Sequence, residues 1–219
     1  VAGGSGKRMN SHIPKQFLEL DNRPVLVRTL EKFYFFDPTM EIIVVLPLLQ
    51  IPMWENLCRK FSVLVKHKIV EGGEERFYSV RNGLEVVKNA DLIAIHDGVR
   101  PMVSNELIGR CFDVAFKTGA AVPVIKPSET IRFGNYIQSS VIPRSQIFLV
   151  QTPQVFQYSL LKEAYKADYS SEFTDDASVF EKSGNSVTLV DGETWNVKIT
   201  EPLDIAYCEF LMHFKTTKQ

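Results

Sequence analysis

The chain has 219 residues, 45% of them hydrophobic and 23% charged, with 25 basic against 26 acidic side chains. These values exclude a disordered chain and argue against a uniformly basic nucleic-acid binder. No apolar run approaches the roughly 20 residues of a membrane span, no signal-peptide pattern is visible, and the three cysteines, Cys58, Cys111 and Cys208, are too scattered for a metal motif or a disulfide framework, which fits a reducing cytoplasm.

Short β-type runs alternate with helical patterns along the chain. Residues 42–46 read as a buried strand stopped by Pro47, and 68–70 and 92–96 read likewise. Ser104 caps a predicted helix in which Leu107, Ile108, Cys111 and Val114/Ala115 recur at helical spacing, with Gly119 past its end. Residues 120–125 follow as a strand, with Pro123 counting against a central position. Residues 126–146, which contain Pro127 and Pro143, leave the alternation and read as an excursion, a β-arm. Further strands are predicted at 147–150, 186–190 and 196–199. Between them Thr174 caps a short helix with Asp175 and Asp176 in its first turn, Lys182 in its last and Gly184 after it. Thr200-Glu201-Pro202 opens a terminal helix that turns Leu203, Ala206, Phe210, Leu211 and Phe214 inward. No repeat or linker divides the chain, so one domain is expected over residues 1–219. Its class is α/β: a mostly parallel, twisted sheet with helices on both faces. Ligands of such sheets bind beyond the carboxyl ends of the strands.

Ala2-Gly3-Gly4-Ser5-Gly6-Lys7-Arg8-Met9 packs three glycines and two cations into eight residues. Glycines let several backbone N–H groups converge on one anion, and Lys7, Arg8 and Lys15 can add charge-assisted hydrogen bonds to phosphate oxygens. Two familiar phosphate motifs fail. A Walker A loop needs Ser or Thr where Arg8 stands, and a dinucleotide fingerprint needs a third glycine where Met9 stands. What remains is Gly-Gly-x-Gly-x-Arg-Met followed by Pro14-Lys15-Gln16, which resembles the loop of the sugar-phosphate nucleotidyltransferases.

Five further segments extend the resemblance. They are Gly72-Gly73-Glu74-Glu75-Arg76 with Ser79-Val80 and Gly83-Leu84, His96-Asp97-Gly98-Val99-Arg100-Pro101, Gln151-Thr152-Pro153-Gln154-Val155-Phe156, Thr174-Asp175-Asp176-Ala177-Ser178 and Asn196-Val197-Lys198-Ile199-Thr200. In this order, over almost the whole chain, they resemble the 2-C-methyl-D-erythritol 4-phosphate cytidylyltransferases of non-mevalonate isoprenoid synthesis. The ribitol 5-phosphate cytidylyltransferases share nearly every motif and stand as the alternative, as does a nucleotide-binding dimer without catalysis.

The resemblance implies a Rossmann-like fold, a protruding β-arm used for dimerisation, and residue roles. Ala2, Gly3, Gly4 and Gly6 wrap the triphosphate of CTP. Arg8, Lys15 and Lys198 neutralise charge at the α-phosphate and the incoming phosphate. Gly73 and Ser79 read the cytosine edge, although Ser79 also suits a plain helix position. Asp97 holds Mg²⁺ near the ribose, and Gly98 leaves room for that ribose. Thr130 and Arg144 of a neighbour's arm, with Thr152, hold the phosphate of the polyol phosphate. Thr174 contacts that substrate, caps its helix, or does both. Arg100 supports Asp97 or the sheet end rather than touching substrate, and His96 is a packed strand-end histidine. Trp195 stands where many members carry an acid, with Glu193 two residues earlier. The chain opens at Val1 without an initiator Met, and the resemblance places a first strand upstream of it. A protein lacking that strand is expected to be badly destabilised.

Overall fold

The computed structural model describes residues 1–3 and 13–216. Its elements are β1 (Glu19–Leu20), β2 (Arg23–Pro24), α1 (Val25–Phe36), β3 (Ile43–Leu46), α2 (Ile51–Lys60), β4 (Lys68–Glu71), α3 (Arg76–Glu85), β5 (Leu92–Ile95), α4 (Asn105–Thr118), β6 (Ala120–Ile125), β7 (Ile131–Gly134), β8 (Ser139–Ile142), β9 (Leu149–Val150), β10 (Gln154–Gln157), α5 (Tyr158–Ala164), α6 (Asp176–Lys182), β11 (Thr188–Asp191) and α7 (Pro202–Thr216).

β4 pairs with β3 in parallel, and β11 pairs with β6 in parallel. β10 runs antiparallel between β5 and β6. Residues 1 and 2 join the two halves. The Ala2 amide donates to Val45 O at 2.9 Å, and Gly98 N donates to Val1 O at 2.9 Å. The order across the sheet is therefore β4, β3, residues 1–2, β5, β10, β6, β11, with only β10 reversed among these. β9 adds a short antiparallel pair at the end of β6.

Alternation along the strands shows why both faces carry helices. Ile95, Ala120 and Phe156 point into one apolar cluster with Phe77, Leu161 and Phe180 of α3, α5 and α6. Their neighbours Ala94, Ala121 and Val155 point into another with Phe33 of α1 and Leu107, Ile108 and Cys111 of α4. A strand buried on both sides has to be apolar at successive positions, and each fully buried large apolar side chain contributes roughly 1.5–3 kcal/mol.

Several local expectations hold. The Ser104 hydroxyl accepts from Leu107 N at 3.0 Å and caps α4, and Gly119 ends that helix at φ +94°. Others are corrected. Pro123 sits inside the sheet, not at its edge. In a strand one residue's N–H and C=O face the same edge. Pro123 O accepts from Gln151 N at 2.8 Å, so its missing N–H faces the break between β10 and β9, where no ladder bond is lost. Residues 196–199 form no strand, and β10 was not foreseen. Asp175, not Thr174, caps α6, in a reciprocal pair with Ser178. That leaves Thr174 exposed just outside the helix. α7 is rotated from the expected phase. It buries Cys208, with Ile205, Leu211 and Met212 against the same cluster, and exposes Leu203, Ala206, Phe210 and Phe214.

The arm exists as a hairpin, β7 with β8 in antiparallel register from Ile131↔Ile142 to Gly134↔Ser139. From residue 128 to 150 no side chain is buried, and Phe133, Tyr136, Ile137 and Val141 are exposed. Among the described residues no helix is long and apolar enough to cross a membrane.

Candidate active site

The carboxyl ends of residues 1–2 and β5, together with the turn before β10, bring the predicted residues together. Asp97 follows β5 directly. Its Oδ2 accepts from Arg100 Nε at 3.1 Å and faces Lys198 Nζ at 3.1 Å. Burial alone would raise the Asp97 pKa, but Lys198, Arg76 and Arg100 outweigh it and hold the carboxyl well below the usual carboxylate range. Asp97 is therefore an anion at any physiological pH. Its other oxygen, Oδ1, has no hydrogen-bond partner among the described residues.

Behind Asp97 a proton chain is locked. The Asp97 amide donates to Thr152 Oγ1 at 3.1 Å, and Thr152 Oγ1 lies 3.1 Å from His96 Nδ1. His96 Nε2 lies 3.1 Å from Arg100 O. A carbonyl can only accept, so Nε2 carries the hydrogen. Burial pushes the His96 pKa down to about 3, so Nδ1 is bare and the Thr152 hydroxyl donates to it. His96 is the packed strand-end histidine expected of it. Thr152 is 5% exposed with its proton committed, so donating to a substrate phosphate requires it to leave His96.

Lys15 reaches the same loop as Lys198, with Nζ 3.0 Å from Ile199 O. Gln16, fully buried beside it, donates to Ala2 O at 2.8 Å and places the short helical turn 15–17 against the first residues. Gly4, Gly6 and Arg8 lie outside the described residues. Gly98 is needed for packing. A Cβ there would stand 2.9 Å from both Ala2 Cβ and Leu26 Cδ1. The room expected for a ribose is thus taken up by the chain itself.

Ser79 sits 3% exposed on α3. Its Oγ accepts from Gly73 N at 3.1 Å and lies 3.2 Å from Glu75 O, fastening the turn that carries Gly73. A Cβ on Gly3 would be 3.7 Å from the same Oγ, so the start of the glycine loop and the 72–75 turn meet at this hydroxyl. Gly73 is exposed, and a Cβ on it would overlap Tyr78 at 2.3 Å.

Thr174 enters through α6. Gln154 donates to Asp175 Oδ2 at 2.8 Å and accepts from Ala177 N at 2.9 Å, holding the start of that helix two residues from Thr152. Thr130 and Arg144 flank the β7–β8 hairpin on either side, and Arg144 Nη1 donates to Ser128 O at 2.6 Å. Neither forms a hydrogen bond or ion pair with the Asp97 cluster among the described residues.

Two features had no role from sequence. Arg76 makes a bidentate pair with Asp176, Nη1 to Oδ1 at 2.8 Å and Nη2 to Oδ2 at 2.5 Å, and Tyr165 OH donates to the same carboxylate at 2.6 Å. Gln151 and Glu193 form the second. The signal for Asp176 was present, since it shares helical phase with Val179 and Phe180, and a charge on an apolar face needs a partner. The three thiols are no nucleophiles. Burial raises Cys58 and Cys208 to about 11 and Cys111 to about 12. A cavity of about 490 Å³ lies lower, between the bodies of β3 and β5, and among the described residues no lysine or arginine lines it.

The site can thus hold an anionic ligand between two lysines at a strand end, beside a fixed carboxylate. The family model for 2-C-methyl-D-erythritol 4-phosphate cytidylyltransferase matches residues 1–214. The enzyme of that name from Phocaeicola vulgatus is 50% identical over 212 residues, 97% of each chain. That from Geobacillus kaustophilus is 36% identical over 97% of this chain and 94% of its own. The crystal structure of 2-C-methyl-D-erythritol 4-phosphate cytidylyltransferase from Thermus thermophilus superposes with a TM-score of 0.77 at 34% identity, covering 91% of this chain and 94% of that one. The 4-diphosphocytidyl-2C-methyl-D-erythritol synthase of Anaerococcus prevotii reaches 0.81 at 28% identity, over 97% and 93%. A match over residues 1–214, with relatives up to 50% identical, places the chain in the 2-C-methyl-D-erythritol 4-phosphate cytidylyltransferase family.

Proposed function

We propose that this single domain, residues 1–219 with its arm, works by direct in-line displacement at the α-phosphorus of CTP. The family reaction is the activity of the chain: the cytidylyl group of CTP passes to 2-C-methyl-D-erythritol 4-phosphate, pyrophosphate leaves, and 4-diphosphocytidyl-2-C-methyl-D-erythritol forms. The observation that carries the mechanism is the convergence of Lys15 and Lys198 on one loop facing Asp97.

A phosphate oxygen of the acceptor attacks, and the bond to pyrophosphate breaks. A phosphate monoester is largely ionised at pH 7, its second pKa being about 6, so no general base is needed. This agrees with a neutral, locked His96. Arg8, Lys15 and Lys198 stabilise the charge that develops at phosphorus. The backbone of Ala2, Gly3, Gly4 and Gly6 takes the triphosphate, the Gly73 carbonyl accepts from the cytosine amino group, and Ser79 holds that turn in place. Thr174, freed from capping, contacts the polyol phosphate. A divalent cation fits Asp97, whose Oδ1 has no hydrogen-bond partner among the described residues and whose charge is fixed. Mg²⁺ takes one or two carboxylates and otherwise phosphate and water oxygens, and bound there it neutralises triphosphate charge. Three unpaired thiols support the cytoplasm as its compartment.

The exposed apolar hairpin supports an arm that crosses to a second copy, bringing Thr130 and Arg144 to its site. An isolated two-stranded hairpin is marginal in water. Mixing tests this arrangement. Lys198→Ala and Arg144→Ala enzymes are each expected to be nearly inactive. Mixed and allowed to exchange subunits, they should regain about a quarter of wild-type activity, because half the dimers are mixed and each has one intact site. No recovery despite confirmed exchange would overturn the shared site. Pyrophosphate release with methylerythritol phosphate, and not with ribitol 5-phosphate, checks the acceptor.

A further inference from the structure

The loop that presents Lys198, residues 192–200, has neither helix nor strand. Besides backbone bonds from Gly192 N to Val124 O at 2.8 Å and from Ile199 N to Val99 O at 2.9 Å, side chains hold it. Gln151 pairs with Glu193 in both directions, its Nε2 donating to Glu193 O at 2.8 Å and its Oε1 accepting from Glu193 N at 3.0 Å. Asn196 Nδ2 donates to Thr152 O at 2.8 Å, and Arg100 Nη1 donates to Asn196 O at 2.7 Å. The Glu193 side chain then reaches out of the loop to α4. It accepts from Ser104 N at 3.3 Å, and through its other oxygen from the Ser104 hydroxyl. That hydroxyl is the α4 cap.

Glu193 is only 7% exposed and, among the described residues, is in no salt bridge. Its positive counterpart is the N-terminal end of a 14-residue helix, where a carboxylate is favoured by the unpaired N–H groups. A buried acid held this way, five positions before Lys198, fixes where the loop sits against the rigid body of the protein.

We infer that Glu193 is a positioning residue for Lys198: by clamping the loop to the start of α4 it sets the Lys198 ammonium opposite Asp97 before substrate arrives. The inference rests on the role of Lys198 proposed above. Displacing a catalytic group by about 1 Å can cost on the order of a hundredfold in rate, so a loop without regular structure needs such an anchor.

The experiment is a double-mutant cycle read by kcat, by KM for CTP and by thermal unfolding. Glu193→Ala should lower kcat about tenfold or more and leave KM within about threefold, because the interaction acts in the transition state. Glu193→Gln, which keeps an acceptor for the Ser104 hydroxyl, should restore most of the loss. Placed in a Lys198→Ala background, Glu193→Ala should change kcat by less than about threefold, since the group it positions is gone. Ser104→Gly removes the hydroxyl while leaving a residue tolerated at a helix cap and should lower kcat in the same direction, which serves if Glu193→Ala does not fold. Losses that multiply in the double variant, or a lowered unfolding temperature with unchanged kcat, would overturn the positioning role while leaving Lys198 in place. Undiminished kcat in Lys198→Ala alone would remove the role of Lys198, and this one with it.

Discussion

Replacing Lys198 with alanine is expected to reduce kcat by about a hundredfold to a thousandfold, the range seen when one preorganised charge or donor is removed from a transition state. The fold should survive. The Lys198 side chain is 42% exposed, and Asp97 keeps Arg100 at 3.1 Å when Lys198 is gone. A pH experiment separates the electrostatic role from a packing role. The folded-state pKa of Asp97 is depressed. Its contribution to stability is therefore fully present above the unfolded value of about 3.9 and is lost as pH falls toward the depressed value. Without Lys198 the depression shrinks, so that contribution is smaller and its loss on acidification is complete at a higher pH. Unfolding midpoints should show the variant destabilised at about pH 6, with its difference from wild type narrowing only where the pH falls below the Asp97 pKa of the folded variant. A variant that turns over normally, or keeps wild-type stability at about pH 6, contradicts the assignment.

The site residues were legible through the resemblance of their segments to one family, and the strand ends explain why those segments meet. Asp97 and Gly98 follow β5 directly, and Thr152 precedes β10, so their proximity follows from strand pairing once the sheet is granted. The helix from 105 to 118 was equally legible, because Ser104 and Gly119 mark its ends by backbone chemistry that needs no tertiary partner. What stayed hidden depends on long-range partners. Gln154–Gln157 shows only two apolar residues between glutamines, and it is a central strand because Gln154 is buried against the α6 cap. Asn196–Ile199 has a strand composition, yet its backbone is met from several directions: Arg100 Nη1 donates to Asn196 O, Lys15 Nζ to Ile199 O, and Ile199 N to Val99 O, so no ladder forms. α7 has apolar residues on more than one side, so periodicity cannot fix its phase; Cys208 faces Leu20, Val25 and Ile199, and Phe210 is left outside. Thr174 and Asp175 are both good caps, and only the reciprocal bond with Ser178 decides between them.

The largest loss of stability is expected from Arg76→Met. Asp176 is completely buried, and Arg76 satisfies both of its oxygens. Burial opposes the guanidinium's charge, yet Asp176 overrides it and raises the Arg76 pKa. Tyr165 remains as one neutral donor, its pKa pushed up by burial and by the same carboxylate, and a phenol brings no positive charge. Removing Arg76 leaves an uncompensated buried anion, which costs about 3–5 kcal/mol. Urea unfolding should show that loss; a cost under about 1 kcal/mol would mean the pair behaves like a surface contact. Replacing both partners, Arg76→Met with Asp176→Met, should recover part of the stability, because the buried charge is gone, while the larger Met and the Tyr165 hydroxyl left without its acceptor keep the rest from returning. Activity should not recover with it. Arg76 starts α3, which fastens the Gly73 turn through Ser79, and Asp176 starts α6, beside Thr174. The pair therefore ties the wall proposed for the nucleotide to the wall proposed for the acceptor, and Arg76 also lends its charge to Asp97. A methionine pair can fill the space but leaves that field weaker, so kcat should stay below wild type in a protein that is again fully folded.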